Sequence, residues 1–302
     1  MANLVNEEPS HMGKFQITTH GRLQEWVAEE KGYFKDEGLD YEFVVYVDTH
    51  KNWLDPSSVG GETRYGAYES FKQGRACDIS SACHWATNQA GSAGHGQMWG
   101  RAYSVTPSGI YVPPESPIHK PAHLRDVEIG VGYHSGSHFS TLQMLDPVIP
   151  AREVKLKFIG RPGDRLNKLV DHEIGAANLM GAEFYVGEQL GLRKVVDTTF
   201  MVGFFVEQNA VLEDVERYFR ALRRAQRDID LEPERYKHYL LRELPERYLD
   251  QLDPYAFGPG ERIVFEPYTR EMFERTHRWM ADVQIFSQEE LGQARYEEAV
   301  LS

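Results

Sequence analysis

The stretch ITTHGRLQEWVAEEKGYFKDEGLDYEFVVYV, residues 17–47, predicts a strand, a helix, a turn and a second strand. Its helix carries Leu23 and Trp26 on one face and ends at Gly32. The following segment is rich in aromatic and β-branched residues, which favours a strand. His20 stands where the first strand turns into the helix, and open α/β sheets bind ligands at the carboxyl ends of their strands. The stretch therefore predicts one edge of a binding or catalytic site in an α/β fold.

The chain continues to alternate strands with helices as far as residue 206. The predicted strands contain the segments ACDIS (76–80), EIGVG (128–132), VKLKFIG (154–160), IGAANLM (174–180) and VVDTTFMVGFFV (195–206). This alternation predicts a second, largely parallel sheet. Beyond residue 211 the sequence is rich in Arg and Glu, and its amphipathic stretches at 215–229 and 270–286 predict a helical tail.

Composition and charge narrow the classes of function. The 302 residues are 41% hydrophobic and 26% charged, as in an ordinary globular protein. A net charge of −13 argues against nucleic acid as a partner, because phosphate contacts need clustered Lys and Arg. No apolar run approaches the length of a membrane span. The opening MANLVNEEPSHMGKF lacks the pattern of a secretory signal, which predicts a cytoplasmic location, or a periplasmic one if a signal has been removed.

Three segments resemble type II periplasmic-binding-protein-like proteins, in the group that contains the sulfonate, nitrate and thiamine-precursor receptors. The segments are EWVAEEKGYFKDEGLDYEFVV (25–45), FKQGRACDISSACHWATNQAG (71–91) and SPIHKPAHLRDVEIGVGYHSGSHFSTLQML (116–145). The likeness spans roughly residues 14–205. It implies two α/β lobes with a ligand cleft between them. Lobe one would comprise 14–105 and 206–302, lobe two 106–205, and the helical tail would pack on lobe one.

The same resemblance includes enzymes. The dihydroxyphthalate decarboxylase type is similar to GRAYSVTPSGIYVPPESPIHKPAHLRDVEIGV (100–131) in its order of a basic residue, aromatics and a strand. The hydroxybiphenyl sulfinate desulfinase type has an insert comparable to HKNWLDPSSVGGETRYGAYESF (50–71). That desulfinase carries a nucleophilic cysteine just after its first strand. This sequence has His20 in that neighbourhood, so the thiol mechanism does not carry over.

With the strands assigned in this way, a histidine follows each of three successive strands of lobe one: His20, His50 and His84. Imidazole titrates near neutral pH and suits general acid–base work. Three neutral imidazoles from adjacent loops could instead bind one divalent metal ion and leave a position for substrate. Arg64, after a Gly-rich segment, is the candidate to clamp a carboxylate or sulfinate. The alternative for each of these side chains is a structural or solvated role.

The segment GYHSGSHFS, residues 132–140, predicts an anion-binding turn in lobe two. Small residues between a strand and a helix let backbone N–H groups approach an anion at the favourable end of the helix dipole. The predicted ligand-binding residues are Tyr133, His134, Ser135, Gly136, Ser137, His138, Asn178 and Trp85. The alternative is a plain N-cap, in which the serines only satisfy the helix's own N–H groups.

Two hypotheses of different classes follow. The first is a cytoplasmic enzyme, a decarboxylase-like or desulfinase-like lyase or a hydrolase, that acts on a small aromatic organic acid. Cleft histidines would be acid–base groups or metal ligands. The second is a binding protein for a small organic anion, of sulfonate, carboxylate or thiamine-precursor type, which would deliver it to the permease of an ABC importer. A homodimer through the helical tail is compatible with both.

Overall fold

The computed structural model describes residues 13–44, 64–293 and 295–302. The strands are β1 Phe15–Ile17, β2 Tyr41–Phe43, β3 Ile79–Cys83, β4 Gln97–Val112, β5 Glu128–Val131, β6 Lys155–Phe158, β7 Ala176–Met180, β8 Arg193–Val206, β9 Arg262–Val264 and β10 Val300–Leu301. The α-helices are α1 Leu23–Glu30, α2 Tyr33–Asp36, α3 Ala67–Gln73, α4 His84–Ser92, α5 Gly136–Leu145, α6 Pro162–Val170, α7 Ala182–Gln189, α8 Leu212–Leu231, α9 Pro233–Tyr236, α10 Glu246–Leu249, α11 Arg270–Asp282, α12 Gln288–Leu291 and α13 Tyr296–Ala299. Short 3₁₀ helices span Pro121–Leu124, Ala151–Glu153, Lys237–Glu243 and Pro254–Ala256.

The sheet consists of two parallel groups joined by a long antiparallel pair. Its strand order is β2-β1-β3-β8-β4-β7-β5-β6, and β9 and β10 pair with β4. The pairs β1–β2 and β1–β3 are parallel, as are β5–β6 and β5–β7. The long strands β4 and β8 pair antiparallel and run from one group to the other. Lobe one is therefore built on β1, β2 and β3, and lobe two on β5, β6 and β7.

Local sequence explains these elements. Helix α1 buries Leu23, Val27 and Ala28, whose spacing of three to four residues is that of one helix face. It stops before Gly32, which has a φ of 71° that a side chain would oppose. Strands of lobe two such as β7 are almost wholly buried, as expected where helices cover both faces of a parallel sheet.

The tail contacts both lobes. Its long helix α8 packs on α1 and α2 of lobe one, as predicted, with Tyr218 stacked on Phe34 at 5.9 Å between ring centroids. The segment 244–260 crosses to lobe two. There Arg247 forms two hydrogen bonds with Asp171, at 2.8 and 2.7 Å, and Tyr248 donates to Asn167. One contiguous cluster of buried side chains thereby runs from lobe one through the tail into lobe two.

A second contact joins the lobes through helix α3. His134 of lobe two lies 2.6 Å from Glu69 of α3, measured from Nδ1 to Oε1. Gly66, at the start of α3, lies against the backbone carbonyl of Tyr133, so closely that a Cβ atom there would lie 1.6 Å from its oxygen. Only glycine fits this close approach of the two backbone segments. The lobes therefore meet through the tail and through α3.

The predicted lobe boundaries, 14–105 with 206–302 and 106–205, stay a prediction. Strand β4 pairs with β9 from Tyr103 to Val105 and with β7 from Ser108 onward. Among the residues that the structure describes, no helix is long and apolar enough to cross a membrane.

Candidate functional site

A cleft with a volume of about 860 Å³ lies between the lobes and the tail. Lobe one contributes Thr18, Thr19, His20, Gly21, Trp26 and Val44. Lobe two contributes Arg161, Pro162, Gly163, Asp164, Asn167, Met180, Gly181, Ala182 and Glu183. The tail contributes Leu240, Arg242, Leu244, Pro245, Gly260 and Glu261, and the connecting strand β4 contributes Thr106.

The fold explains why these residues converge. Residues 18–21 follow the carboxyl end of β1, and Gly181 follows that of β7, which is where parallel sheets leave room for ligands. The amino end of α6 also faces the cleft through Pro162 and Gly163. His20 follows β1 and lines the cleft, and the catalytic role predicted for it stays a prediction.

His20 is held by a buried carboxylate. Its Nδ1 lies 3.0 Å from Oε2 of Glu261, and the side chains of His20 and Glu261 are 23% and 6% exposed. An ionised carboxylate can only accept a hydrogen bond, so Nδ1 must carry the proton. In the neutral imidazole, Nε2 is then the basic nitrogen. The pair thus fixes the tautomer of a histidine that lines the cleft.

Charge around Glu261 keeps it ionised. Burial alone would raise the pKa of Glu261, but the Arg22 guanidinium, His20 and a hydrogen bond from Ser104 outweigh burial and lower the pKa to about 2. Nε of Arg22 lies 3.3 Å from Oε1 of Glu261. A carboxylate that stays charged at neutral pH is a permanent hydrogen-bond acceptor for Nδ1 of His20 and so orients the ring.

The loop that carries His20 is fixed by a second buried carboxylate. Glu25 accepts hydrogen bonds from the backbone N–H of His20 at 3.2 Å and from the Tyr218 hydroxyl at 2.7 Å. Gln24 donates to the backbone carbonyl of Glu261 at 2.8 Å. Helix α1 therefore positions His20 and Glu261 from the same turn. Charged groups held this way are preorganised for acid–base chemistry.

The cleft wall also contains three charged residues that no sequence pattern predicted: Glu261, Arg161 and Arg242. Glu261 is 241 positions away from His20 and reaches it because β9 pairs with β4. Its segment, LDPYAFGPGERIVFEP (252–267), has the composition of a loop and carries no motif. No local signal could have found it.

His84 and Trp85 lie at the start of α4, in a buried aromatic region outside the cleft lining. His84 is within 2.9 Å of the Met201 carbonyl through Nδ1, and burial lowers its pKa to about 4. Trp85 stacks on Phe139 of lobe two at 5.5 Å between centroids. His50 lies outside the described residues. The roles predicted for these side chains stay predictions.

The 132–138 turn bonds largely to itself. Ser137 accepts a hydrogen bond from the backbone N–H of Gly132 at 2.8 Å, and Ser135 donates to the Gly132 carbonyl at 2.8 Å. A Cβ on Gly136 would lie 2.5 Å from the Phe200 ring. Neither these residues nor Tyr133, His134 and His138 line the cleft described above. An anion site here stays a prediction. Ser135 is the N-cap residue of α5, but its side chain makes no capping hydrogen bond to the helix.

Asn178 and Arg64 also lie away from the cleft wall. Asn178 is buried, donates to Ser140 and Thr141, and accepts from Ser108 of β4. Arg64 is exposed, and its guanidinium carbon lies 5.6 Å from the centre of the Phe158 ring. The predicted ligand contacts of both residues stay predictions.

The predicted divalent metal ion involves His20, His50 and His84. In the described parts of the chain, no group of three or more His, Cys, Asp and Glu side chains is arranged to hold a metal. His20 and His84 each engage a protein oxygen through Nδ1, and His50 lies outside those parts. The metal site stays a prediction.

His138 should make the protein sensitive to mild acid. It is almost fully buried, its Nδ1 has no hydrogen-bond partner among the described residues, and burial together with nearby His134 lowers its pKa from 6.5 to about 3. Below pH 6.5 the unfolded chain therefore binds a proton that the native chain does not bind. The free energy of unfolding consequently falls as the pH decreases from 6.5 toward 3. We expect His138→Leu to reduce the stability lost between pH 7 and pH 5 by about 2 kcal/mol.

Urea unfolding followed at the two pH values measures this effect. His238→Leu is the matched control, because His238 is exposed and its substitution should leave the acid sensitivity unchanged. An equal acid sensitivity in wild type and His138→Leu would contradict the assignment.

No protein-family model matches the chain, and no curated protein sequence is significantly similar to it. Solved structures are similar. The alkanesulfonate-binding protein SsuA from Xanthomonas axonopodis pv. citri, bound to MOPS, superposes with a TM-score of 0.67 at 14% identity, over 95% of this chain and 98% of that one. The desulfurization enzyme DszB superposes with a TM-score of 0.54 at 14% identity, over 94% and 97% of the two chains.

A Candida albicans protein described as having the generic periplasmic binding protein fold matches with a TM-score of 0.63 at 12% identity, over 96% of each chain. These likenesses confirm the two-lobed, periplasmic-binding-protein-like α/β fold predicted from the sequence. The similar structures include binding proteins for sulfonates and an enzyme, so both classes of function are open on this fold.

Proposed function

We propose that the chain is an enzyme that removes the acid group of a small aromatic organic acid bound in the cleft. One observation carries this proposal: His20, a cleft-lining histidine, has its Nδ1 on a buried and ionised Glu261. A site that only binds an anion does not need a carboxylate behind its histidine. A site that delivers a proton does, because the carboxylate stabilises the imidazolium and directs Nε2 toward the ligand.

The proposed step is protonation of the ring carbon that loses the acid group. In a decarboxylation, the bond between that carbon and the carboxylate breaks, its electron pair stays on the ring carbon, and CO₂ leaves. The proton on Nε2 of protonated His20 moves to the same carbon, and water then returns a proton to His20. A sulfinate would react in the same way, with cleavage of the carbon–sulfur bond and loss of SO₂.

The cleft suits a ligand of this class. Its volume of about 860 Å³ lies within the range of small-molecule sites. Trp26 supplies an aromatic face, and Val44, Leu240 and Leu244 supply apolar wall. Arg161 and Arg242 supply positive charge. A planar ring with one acid group can therefore contact apolar and aromatic side chains and a positive charge within the same cleft.

The test is product analysis. We expect the purified protein to convert at least one member of a panel of hydroxybenzoates, dihydroxyphthalates and aryl sulfinates to the arene that lacks the acid group, detected by liquid chromatography and mass spectrometry. In D₂O the product should carry one deuterium at the vacated carbon. Tight binding of a panel member, with no member of the panel converted, would contradict the enzyme proposal.

The second candidate is a receptor for a small organic anion, in partnership with an ABC permease. The similarity to sulfonate-binding proteins, including one with bound MOPS, favours it. On this proposal His20 donates or accepts a hydrogen bond without transferring a proton. The same panel distinguishes the two, because a receptor returns its ligand unaltered.

A further inference from the structure

We infer that Arg242 anchors the acid group of the ligand and determines that the ligand is an aryl monoanion. This inference rests on the proposed organic-acid site and adds the residue that selects the charge. Arg242 belongs to the 3₁₀ helix Lys237–Glu243 of the tail and lines the cleft. The tail, rather than either lobe, would therefore supply the specificity of the site.

Two aromatic rings hold the Arg242 side chain in place. Its guanidinium carbon lies 4.7 Å from the centre of the Trp26 ring and 4.6 Å from that of Tyr239. Guanidinium groups stack on aromatic faces, and stacking leaves the N–H donors at their edges available. Those donors form a planar fork that matches the two oxygens of a carboxylate or sulfinate. Trp26 and Arg242 both line the cleft, so the indole ring and the guanidinium border the same space.

The carboxylates of the cleft wall interact with other arginines, so the positive charge of Arg242 is available to the ligand. The carboxylates of the cleft wall are Asp164, Glu183 and Glu261. Asp164 pairs with Arg161 at 3.5 Å and Glu261 with Arg22 at 3.3 Å, while Glu183 interacts electrostatically with the buried Arg165. Arg242 forms no ion pair or hydrogen bond within residues 13–44, 64–293 and 295–302. A single negative charge on the ligand would balance the positive charge of Arg242.

The apolar neighbours of Arg242 define the rest of the ligand. Leu240 and Leu244 flank it in sequence and line the cleft, and Val44 lies in the same wall as Trp26. An acid group attached directly to an aromatic ring would contact Arg242 with its oxygens while the ring contacts Trp26 and the aliphatic side chains. A dianion, or a neutral ring, would satisfy this arrangement less well.

The test is calorimetric titration of wild type with benzoate and benzenesulfinate, and with the neutral analogue benzamide. We expect the two anions to bind and benzamide to bind at least tenfold more weakly. Arg242→Gln should weaken binding of the anions by about 10- to 100-fold, the value of a charge-assisted bidentate contact, and leave benzamide unchanged. Arg242→Lys should recover part of the loss, because the charge returns without the fork.

Arg223→Gln is the matched control. Arg223 is also exposed and stacked on an aromatic ring, with its guanidinium carbon 4.3 Å from the Phe265 centroid, but it lies on α8 outside the cleft lining. Unchanged anion affinity in Arg242→Gln, with circular dichroism like that of wild type, would overturn the inference and leave the proposed organic-acid site intact. Equal loss in both variants would also overturn it. Failure of wild type to bind either anion would count against the proposed site itself.

Discussion

Replacing His20 with Ala is expected to lower kcat for the aromatic acid by about 10²- to 10⁴-fold, the usual contribution of a positioned general acid. Its affinity for the same acid should change by less than about threefold, because the anchoring charge lies on Arg242 and the ring contacts lie on Trp26. Single-turnover kinetics with the best substrate of the panel, together with titration calorimetry, separates the two effects. The variant should fold, since His20 is partly exposed.

His119→Ala is the control for this prediction. His119 is an exposed histidine of the chain outside the cleft lining, so its loss should leave both kcat and affinity unchanged. A His20→Ala protein that turns over at the wild-type rate would remove His20 from the mechanism. A protein that loses affinity and rate in equal proportion would make His20 a binding residue.

Replacing Glu261 with Gln is expected to cost about 3–5 kcal/mol of unfolding free energy, the penalty for breaking a buried ion pair by removing one partner. The substitution keeps the shape of the side chain but leaves the fully buried Arg22 without its nearest carboxylate oxygen at 3.3 Å. The amide also keeps only one acceptor oxygen, which cannot serve both the Nδ1 proton of His20 and the groups at the other carboxylate oxygen, Arg22 and Ser104. Urea unfolding at pH 7 measures the loss, and kcat should fall with it.

The pH dependence of the Glu261→Gln effect follows from the pKa of Glu261. The pKa is lowered from 4.5 to about 2 in the folded protein, so the stabilisation is complete above pH 4.5 and is lost as pH falls toward 2. The difference between wild type and Glu261→Gln should therefore shrink over that interval. Glu266→Gln, at an exposed position of the same segment, should stay within about 0.5 kcal/mol of wild type. A Glu261→Gln protein as stable as this control would contradict the charged network.

Much of the fold could be predicted because its signals are local. The face of α1, the turn at Gly32 and the buried strands of lobe two follow from spacing and composition over short windows. The position of His20 followed from the same logic, since a residue after β1 lies at the ligand edge of a parallel sheet.

The remainder of the candidate site depends on contacts between distant parts of the chain. Glu261 and Arg242 belong to the tail, and neither has a sequence neighbour that marks it as a site residue. They reach the cleft because the tail crosses from lobe one to lobe two and returns to pair β9 with β4. Hydrophobic periodicity indicates only local secondary structure, so it cannot predict this course of the tail between the lobes. The 132–138 turn shows that a local motif can be ambiguous, because small residues between a strand and a helix are typical both of anion sites and of N-caps.

A crystal structure of the protein with benzenesulfinate or a substrate of the panel would show which residues hold the acid group and where His20 lies relative to it. We expect the ring to lie against Trp26 and the acid oxygens to bind Arg242. We also expect Nε2 of His20 within about 3.2 Å of the acid group or of the carbon that carries it. A ligand bound instead at the 132–138 turn, or in the cleft with His20 turned away from it, would contradict the roles proposed for His20 and Arg242.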